Sequence, residues 1–359
     1  MTDYTGTPTE GYEQTAKRKS EHIRICLEES VQSIGIDPGF SRYRFRHRAL
    51  PDLSFQDMDL STSFLGMKLQ VPLLISSMTG GTGEAGPINL RLAEAAETRG
   101  WAMGLGSMRA AIENEQLAGT FKVRKEAPTI PIIANLGAVQ LNYGYGVDQC
   151  RQAVELAEAN ALVLHLNSLQ EVFQPEGDTD FRGLVSRIAE VCKQLDVPVG
   201  VKEVGWGIDA DTAQTLAEAG VAFIDVAGAG GTSWSQVEKY RIRDPLRADA
   251  AAAFADWGIP TTDCIREVRE CLPDTCLIAS GGLHTGVDAA KAIALGADLA
   301  GFGRTLLAGA AGVQPSKVKP ESVYFQLERI EFELRTAMFG IGASSISSLR
   351  TTDRLQTLT

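Results

Sequence analysis

The chain has 359 residues, 44% of them hydrophobic, and carries 45 acidic against 34 basic side chains, a formal net charge of −11. That balance excludes the basic surface needed for non-specific nucleic-acid or membrane binding, yet leaves room for a phosphorylated ligand held by a few converging cations. Cys26, Cys150, Cys192, Cys264, Cys271 and Cys276 form no CxxC, and no histidine stands at zinc-finger spacing, so neither a disulfide framework nor a zinc site is expected.

Residues 1–16, rich in Thr, Gly and Glu, read as a flexible tail. The start lacks the apolar core of a secretion signal, and no apolar run reaches transmembrane length, so a cytoplasmic protein is expected. A basic cluster of Lys17, Arg18 and Lys19 with His22 leads into a helix-like stretch through Ser33. Residues 40–70 read as short extended pieces, so 17–70 form a basic arm and extension ahead of the main domain.

Over 71–345 the chain acquires a rhythm. Short apolar runs at 73–76, 102–105, 132–135, 162–165, 199–202, 223–225, 277–279 and 299–302 alternate with amphipathic stretches at the spacing of βα units. Near-continuous apolar runs mark strands buried on both faces. Eight of them with intervening helices predict an α/β fold, a closed (β/α)8 TIM barrel rather than an open doubly wound sheet. Helices are predicted over 88–99, 149–159, 182–195, 210–219 and 287–295, with Gly100, Gly220 and Gly296 as stops. The segment 234–261 breaks the rhythm and reads as a long insertion after strand six, a candidate lid, and 346–359 form a C-terminal tail.

A barrel of this kind places its active site at the C-terminal ends of the strands. Those ends read Ser77-Met78-Thr79-Gly80-Gly81, Gly106-Ser107-Met108-Arg109, Asn135-Leu136-Gly137, His165-Leu166-Asn167 followed by Gln170-Glu171, Lys202-Glu203, Gly228 to Thr232, Ser280-Gly281-Gly282 and Gly303-Arg304. One glycine pair is a turn; polar and glycine-rich ends on every strand indicate a ligand. Gly281-Gly282 and Gly303-Arg304, after strands seven and eight, stand where barrels hold a phosphate on backbone N–H groups. Lys202 ends an apolar strand and points its ammonium into the barrel mouth. Glu203, on the opposite face, is a poor partner for it. A buried cation there suits a reduced flavin, whose N1 carries negative charge. His165 and Asn167 alternate and so share a side, close to Gln170 and Glu171.

Arg18-Lys19-Ser20-Glu21-His22, Ser77 to Gly81, His165 to Glu171, Gly177-Asp178-Thr179-Asp180-Phe181, Lys202 to Gly207 and Gly230 to Trp234 together resemble the type 2 isopentenyl diphosphate isomerases, in the family's order. The resemblance implies a homo-tetrameric or homo-octameric flavoenzyme of isoprenoid biosynthesis. Such an enzyme interconverts isopentenyl and dimethylallyl diphosphate with reduced FMN and Mg²⁺, NADPH being the reductant. It implies that Ser77, Met78, Thr79, Ser107, Asn135, Lys202 and Thr232 hold the isoalloxazine and ribityl parts of FMN, and that Gly281, Gly282, Gly303 and Arg304 hold its phosphate. Arg18, Lys19, His22, Arg109, His165 and Asn167 would bind the small-molecule diphosphate, Glu171 would ligate Mg²⁺, and Gln170, with His165 and Lys202, would act at the reacting carbons. Three positions depart from the family pattern: Met108 replaces Gln, Thr179 replaces Arg, and Leu283-His284 replaces Ile-Arg. Two other readings stand beside this one. An FMN-dependent α-hydroxyacid oxidase would want a catalytic histidine near the late strands, where only His284 lies; the third reading is a non-catalytic flavin-binding paralogue.

Overall fold

The computed structural model describes residues 8–312 and 322–358, with side chains from residue 17 onward. Eight parallel strands close into a barrel: β1 (Leu73–Ile75), β2 (Ala102–Gly104), β3 (Ile132–Gly137), β4 (Ala161–His165), β5 (Val199–Lys202), β6 (Phe223–Asp225), β7 (Cys276–Ala279) and β8 (Leu299–Phe302). Each pairs with its neighbours in chain order, and β8 closes on β1 through Ala300 opposite Leu73. All eight coincide with the apolar runs, three of them to the residue and the other five to within two residues at their ends.

The helices in chain order are α1 (Pro8–Glu28), α2 (Ala85–Arg99), α3 (Arg109–Glu113), α4 (Val147–Ala157), α5 (Ser168–Phe173), α6 (Leu184–Gln194), α7 (Ala210–Glu218), α8 (Trp234–Lys239), α9 (Pro245–Ala252), α10 (Thr261–Cys271), α11 (Gly286–Leu295), α12 (Arg304–Ala311), α13 (Val323–Ile341) and α14 (Ile346–Arg350). The helix α1 begins within the expected 1–16 tail, whose residues 1–7 lie outside the described ones, and it ends before the expected Ser33. The chain then runs back along the loop after β6, where Ser233 N–H donates to Val31 O and Ser33 N–H to Gly231 O. The expected insertion after strand six holds two helices, α8 and α9. In the C-terminal stretch, α14 is followed by Leu355–Thr357, which pairs antiparallel with Tyr43–Phe45.

The barrel interior is filled by Leu74, Ala102, Ile133, Val163, Phe223, Ile278 and Leu299. A hairpin of Thr62–Phe64 and Met67–Leu69 adds Phe64 and Leu69 to the same cluster, so it plugs one end of the barrel. Phe64 meets Phe223 edge-to-face with ring centroids 5.5 Å apart. Gly200 on β5 makes this packing possible, because a Cβ there would stand 2.2 Å from the Phe223 ring. A larger cluster, including Leu92, Trp101, Leu162, Val201, Ile293 and Leu334, lies between strands and helices. With one end plugged and the walls packed, the polar strand ends are left to line the other end.

Candidate active site

One cavity opens at the C-terminal ends of the strands, and every site residue anticipated from the sequence borders it. On α1, Arg18, Lys19, His22, Ile23 and Cys26 fall at spacings of one, three and four, which gathers them on the face turned to the cavity. Arg18 and Lys19 thus stand at the mouth of their own chain's barrel. Arg18 donates to Gln174 Oε1 at 3.0 Å and lies 3.6 Å from Glu176. Lys19 donates to the Ser107 carbonyl at 2.7 Å and sits 5.5 Å from the centre of the Phe121 ring. Burial, with Arg18 adding repulsion, lowers its pKa to about 7. Arg109, at the start of α3, is shared between Glu113 (2.7 Å) and Asp178 (2.9 Å).

Behind α1 lies Glu238, a residue with no signal in the sequence beyond its place in the irregular insertion. Its carboxylate is fully buried. His22 Nε2 lies 2.9 Å from Oε1, which also accepts from Gln170 at 3.2 Å and Gln174 at 3.1 Å, while Arg241 donates to Oε2 at 2.5 Å. Burial alone would raise this carboxyl, but His22 and Arg241 overcome it and hold the pKa down to about 2. Arg241 also pairs with Glu21 of α1 and Glu176, so it joins three segments around one buried charge. Gln170 spends its amide N–H on Glu238, which fixes that side chain's orientation.

At the end of β4, His165 Nδ1 lies 2.8 Å from Asn135 Oδ1. An amide oxygen only accepts, so Nδ1 carries the hydrogen and Nε2 is left as a lone pair in the neutral ring. Burial, then Lys202 and Lys19, depress this imidazole to about 3. On β5, Lys202 donates to the backbone oxygen of Glu203. The Glu203 carboxylate instead accepts from the N–H groups of Val204, Gly205 and Trp206 and pins the loop. The acid beside Lys202 is Asp225, directly opposite on β6 and held by Ser280 Oγ at 2.7 Å. Sequence reading missed it because the partner comes from strand register rather than spacing.

The other side of the mouth is built from backbone. Gly281 and Gly282 have φ of 102° and 76°, and a Cβ on Gly281 would stand 2.2 Å from Gly228 O. A Cβ on Gly231 would stand 2.4 Å from Gly282 N, so the loops after β6 and β7 approach as closely as glycine permits. Gly303 precedes α12, and Arg304 opens that helix at the cavity edge. Such a cradle suits a phosphate. His284 beside it bonds to Thr305 Oγ1 at 3.1 Å, and burial lowers its pKa, so Arg304 is the standing cation of this loop. Ser76 Oγ, buried at the end of β1, has no partner within the protein and is free for a ligand.

Glu171, in α5, accepts from Asn167 Nδ2 at 2.6 Å and from the Asp178 N–H at 2.8 Å. Burial raises its pKa, with both hydrogen bonds opposing. Among the described residues no group of three His, Cys, Asp or Glu could hold a metal. One carboxylate with amide oxygens suits a hard divalent cation that a phosphorylated ligand completes.

The FMN-dependent dehydrogenase family matches residues 18–126 and 147–356. An isopentenyl-diphosphate delta-isomerase of Oceanobacillus iheyensis is 52% identical over 339 residues, covering 94% of this chain and 95% of that one. A protein of the same name from a Nostoc species is 50% identical over 346 residues, covering 96% and 97%. Among solved structures, a putative lactate oxidase of Pediococcus acidilactici superposes with a TM-score of 0.66 over 98% of this chain and 94% of that one at 17% identity. A mandelate oxidase gives the same TM-score at 19% identity, covering 98% and 99%. At those identities the likeness is one of fold. No described helix is long and apolar enough to cross a membrane.

Proposed function

The chain belongs to the isopentenyl-diphosphate delta-isomerases within the FMN-dependent dehydrogenase family, and from that premise we propose that it interconverts isopentenyl and dimethylallyl diphosphate on bound FMN. The observation that carries this reading is the presence of two anion sites on one cavity. The glycine cradle with Arg304 suits the flavin phosphate, and Arg18, Lys19 and Arg109 suit a diphosphate. An oxidase of small hydroxy acids would also bind an anion, its substrate's carboxylate, but it needs a catalytic histidine near the late strands, and only His284 lies there, engaged by Thr305 beside the phosphate cradle.

In this reading Ser77, Met78, Thr79, Ser107, Asn135 and Thr232 hold the flavin ring and ribityl chain, with Lys202 as the cation beside the ring. Reduced FMN, when bound, supplies weakly acidic and basic ring positions next to the substrate. The isomerisation adds a proton to the terminal alkene carbon and removes one from the carbon two bonds away, with no net redox change. Neither step suits a free carboxylic acid in water, so the chain's contribution is to exclude water and hold the alkene in place. Gln170, locked by Glu238, orients the reacting carbons. His165 offers Nε2 to the diphosphate, whose negative charge favours a proton on that nitrogen. Lys202 balances the charge of the reduced ring, and His22 and Asn167 complete the diphosphate pocket.

Glu171 would hold Mg²⁺ against the diphosphate, in keeping with the preference of that ion for one or two carboxylates plus phosphate oxygens. NADPH as reductant, a homo-tetrameric or homo-octameric assembly and a cytoplasmic location belong to the same proposal and are supported by the family resemblance. The test is ¹H NMR of the protein with FMN, Mg²⁺, a reductant and isopentenyl diphosphate in D₂O. Deuterated dimethylallyl diphosphate that forms only with reduced FMN is the expected result. Bound flavin without turnover overturns the proposal.

A further inference from the structure

Two buried amide oxygens near Glu171 have no hydrogen-bond partner, Gln140 Oε1 and Asn167 Oδ1. Their orientation is set by carboxylates. Gln140 turns Nε2 to Asp178 Oδ2 at 3.0 Å, and Asn167 turns Nδ2 to Glu171 Oε1 at 2.6 Å. An ionised carboxylate only accepts, so in both amides the nitrogen must face the acid and the oxygen must face away from it. Asp178 links the two, since its own N–H donates to Glu171 Oε2 at 2.8 Å. Gln140, Asn167 and Glu171 all border the cavity.

Buried acceptors without partners are rare in folded proteins and call for a donor or a cation. An ionised diphosphate supplies neither, because its oxygens only accept. A small hard cation supplies both charge and donors, since Mg²⁺ keeps several of its waters and each turns two polarised O–H groups outward. Such a shell needs neutral or anionic oxygens around it. Lysine or arginine would repel it.

We propose that Gln140 and Asn167 hold the water shell of a divalent cation carried by Glu171, with Gln140 acting as a positioning residue through Oε1. Asp178 orients Gln140 and at the same time binds Arg109 at 2.9 Å, so the cation shell and one of the diphosphate guanidinium groups share an anchor. The inference rests on the proposed diphosphate isomerase reading for the presence of the cation. It adds a residue that neither motif nor spacing singled out.

The test uses Mn²⁺ as the probe, titrated by EPR into the FMN-loaded, oxidised full chain with isopentenyl diphosphate present. Gln140→Met removes the acceptor at similar volume. It is expected to raise the Mn²⁺ Kd about tenfold or more, the usual effect of losing an outer-shell partner, and to shorten the residence time of metal-bound water in ¹H relaxation. The FMN Kd and absorbance spectrum should not change. An unchanged Mn²⁺ Kd overturns the inference, and so does a weakened FMN Kd in its place, which would assign the oxygen to the flavin. Should Gln140→Met lose its flavin spectrum by misfolding, Gln140→Asn, which keeps the amide but draws its oxygen back from the shell by one methylene, decides. It must also raise the Mn²⁺ Kd, and wild-type affinity overturns the inference. Turnover by the same wild-type samples after reduction separates the two readings. Turnover with an unchanged variant Kd sinks this inference alone, whereas wild type that neither turns over nor binds Mn²⁺ sinks both.

Discussion

Glu238 and His22 meet at 2.9 Å inside the protein, joining the helix after strand six to the helix that precedes the barrel. The two are far apart in sequence; the Glu238 side chain is fully buried and that of His22 mostly so. It makes the roof of the cavity a single unit. Strand six contributes Glu238 through α8, the N-terminal helix contributes His22 and Glu21, and Arg241 ties them together.

The first prediction concerns this unit. Glu238→Gln keeps the shape but leaves Arg241 without its buried counter-charge, and breaking a buried pair in this way costs about 3–5 kcal/mol. The melting temperature should fall by several degrees. Gln170 loses a charge-assisted partner and shifts, and a small misplacement of a positioning group costs about 10²-fold in rate. We expect kcat for the isomerisation to fall on that order with the FMN content unchanged. A variant with wild-type kcat would show that Gln170 does not depend on Glu238.

A second prediction follows from Lys19. Burial and the neighbouring Arg18 lower its pKa to about 7. The ammonium is therefore present below about pH 7 and absent above it, and diphosphate affinity should go with it. A hydrogen bond to a charged group contributes about 1.5–3 kcal/mol, so the KM for isopentenyl diphosphate should rise at least roughly tenfold between pH 7 and pH 9. Lys19→Arg, charged throughout this range, should flatten the profile. A flat wild-type profile would mean that substrate does not meet this amine.

How much of this was legible beforehand differs between fold and site. The barrel is written locally, since buried parallel strands must be apolar runs, and runs such as 199–202 and 299–302 match β5 and β8 to the residue. The strand-end residues were legible for the same reason, because the fold dictates where strand ends go. Glu238 and Asp225 were not. Glu238 sits in the stretch that departs from the βα rhythm, and its importance comes from Arg241, His22 and Gln170 converging in space. Asp225 ends an apolar strand as Lys202 does, but that the two face each other is a matter of register. Gln140 lies just past β3 in a turn of 3-10 helix with no pattern to mark it. Charge pairing across elements is invisible to periodicity.

The third prediction tests how the diphosphate pocket is held before substrate arrives. Arg18 is engaged by Gln174 and Glu176, the latter at 3.6 Å, and the diphosphate must take it from them. Arg18→Ala should raise KM about tenfold and leave the flavin spectrum alone, since in the proposed reading the guanidinium would meet the diphosphate and not the ring. Glu176→Gln should act in the opposite direction. A partly exposed pair is worth about 0.2–1 kcal/mol, so KM should fall by up to about fivefold. If both substitutions raise KM, Glu176 holds Arg18 in its binding position instead of competing for it.

The last prediction concerns the cradle after strand seven. Gly281 has a φ of 102°, and an added Cβ would stand 2.2 Å from the carbonyl oxygen and 2.5 Å from the nitrogen of Gly228. Both neighbours are backbone, in the loop after β6 where the Gly228 N–H donates to the Ser280 carbonyl at 3.0 Å, and neither can rotate away. Gly281→Ala must therefore push the loop off Gly228, which moves the N–H groups that would receive a phosphate. We expect the FMN Kd to rise at least tenfold (about 1.4 kcal/mol), with flavin occupancy, read as the ratio of absorbance near 450 nm to that at 280 nm, falling in step. Backbone strain alone could weaken the protein without touching the ligand, so a matched control is needed. Gly66 supplies it: its φ is 79°, and an added Cβ there would meet nothing within 4 Å. It lies in the hairpin that plugs the barrel, away from the strand ends. Gly66→Ala should lower the melting temperature by an amount matching roughly 1–2 kcal/mol of positive-φ strain and keep full flavin occupancy. Equal flavin loss in both variants would mean that occupancy follows global stability, and the cradle after β7 would no longer be the flavin phosphate site.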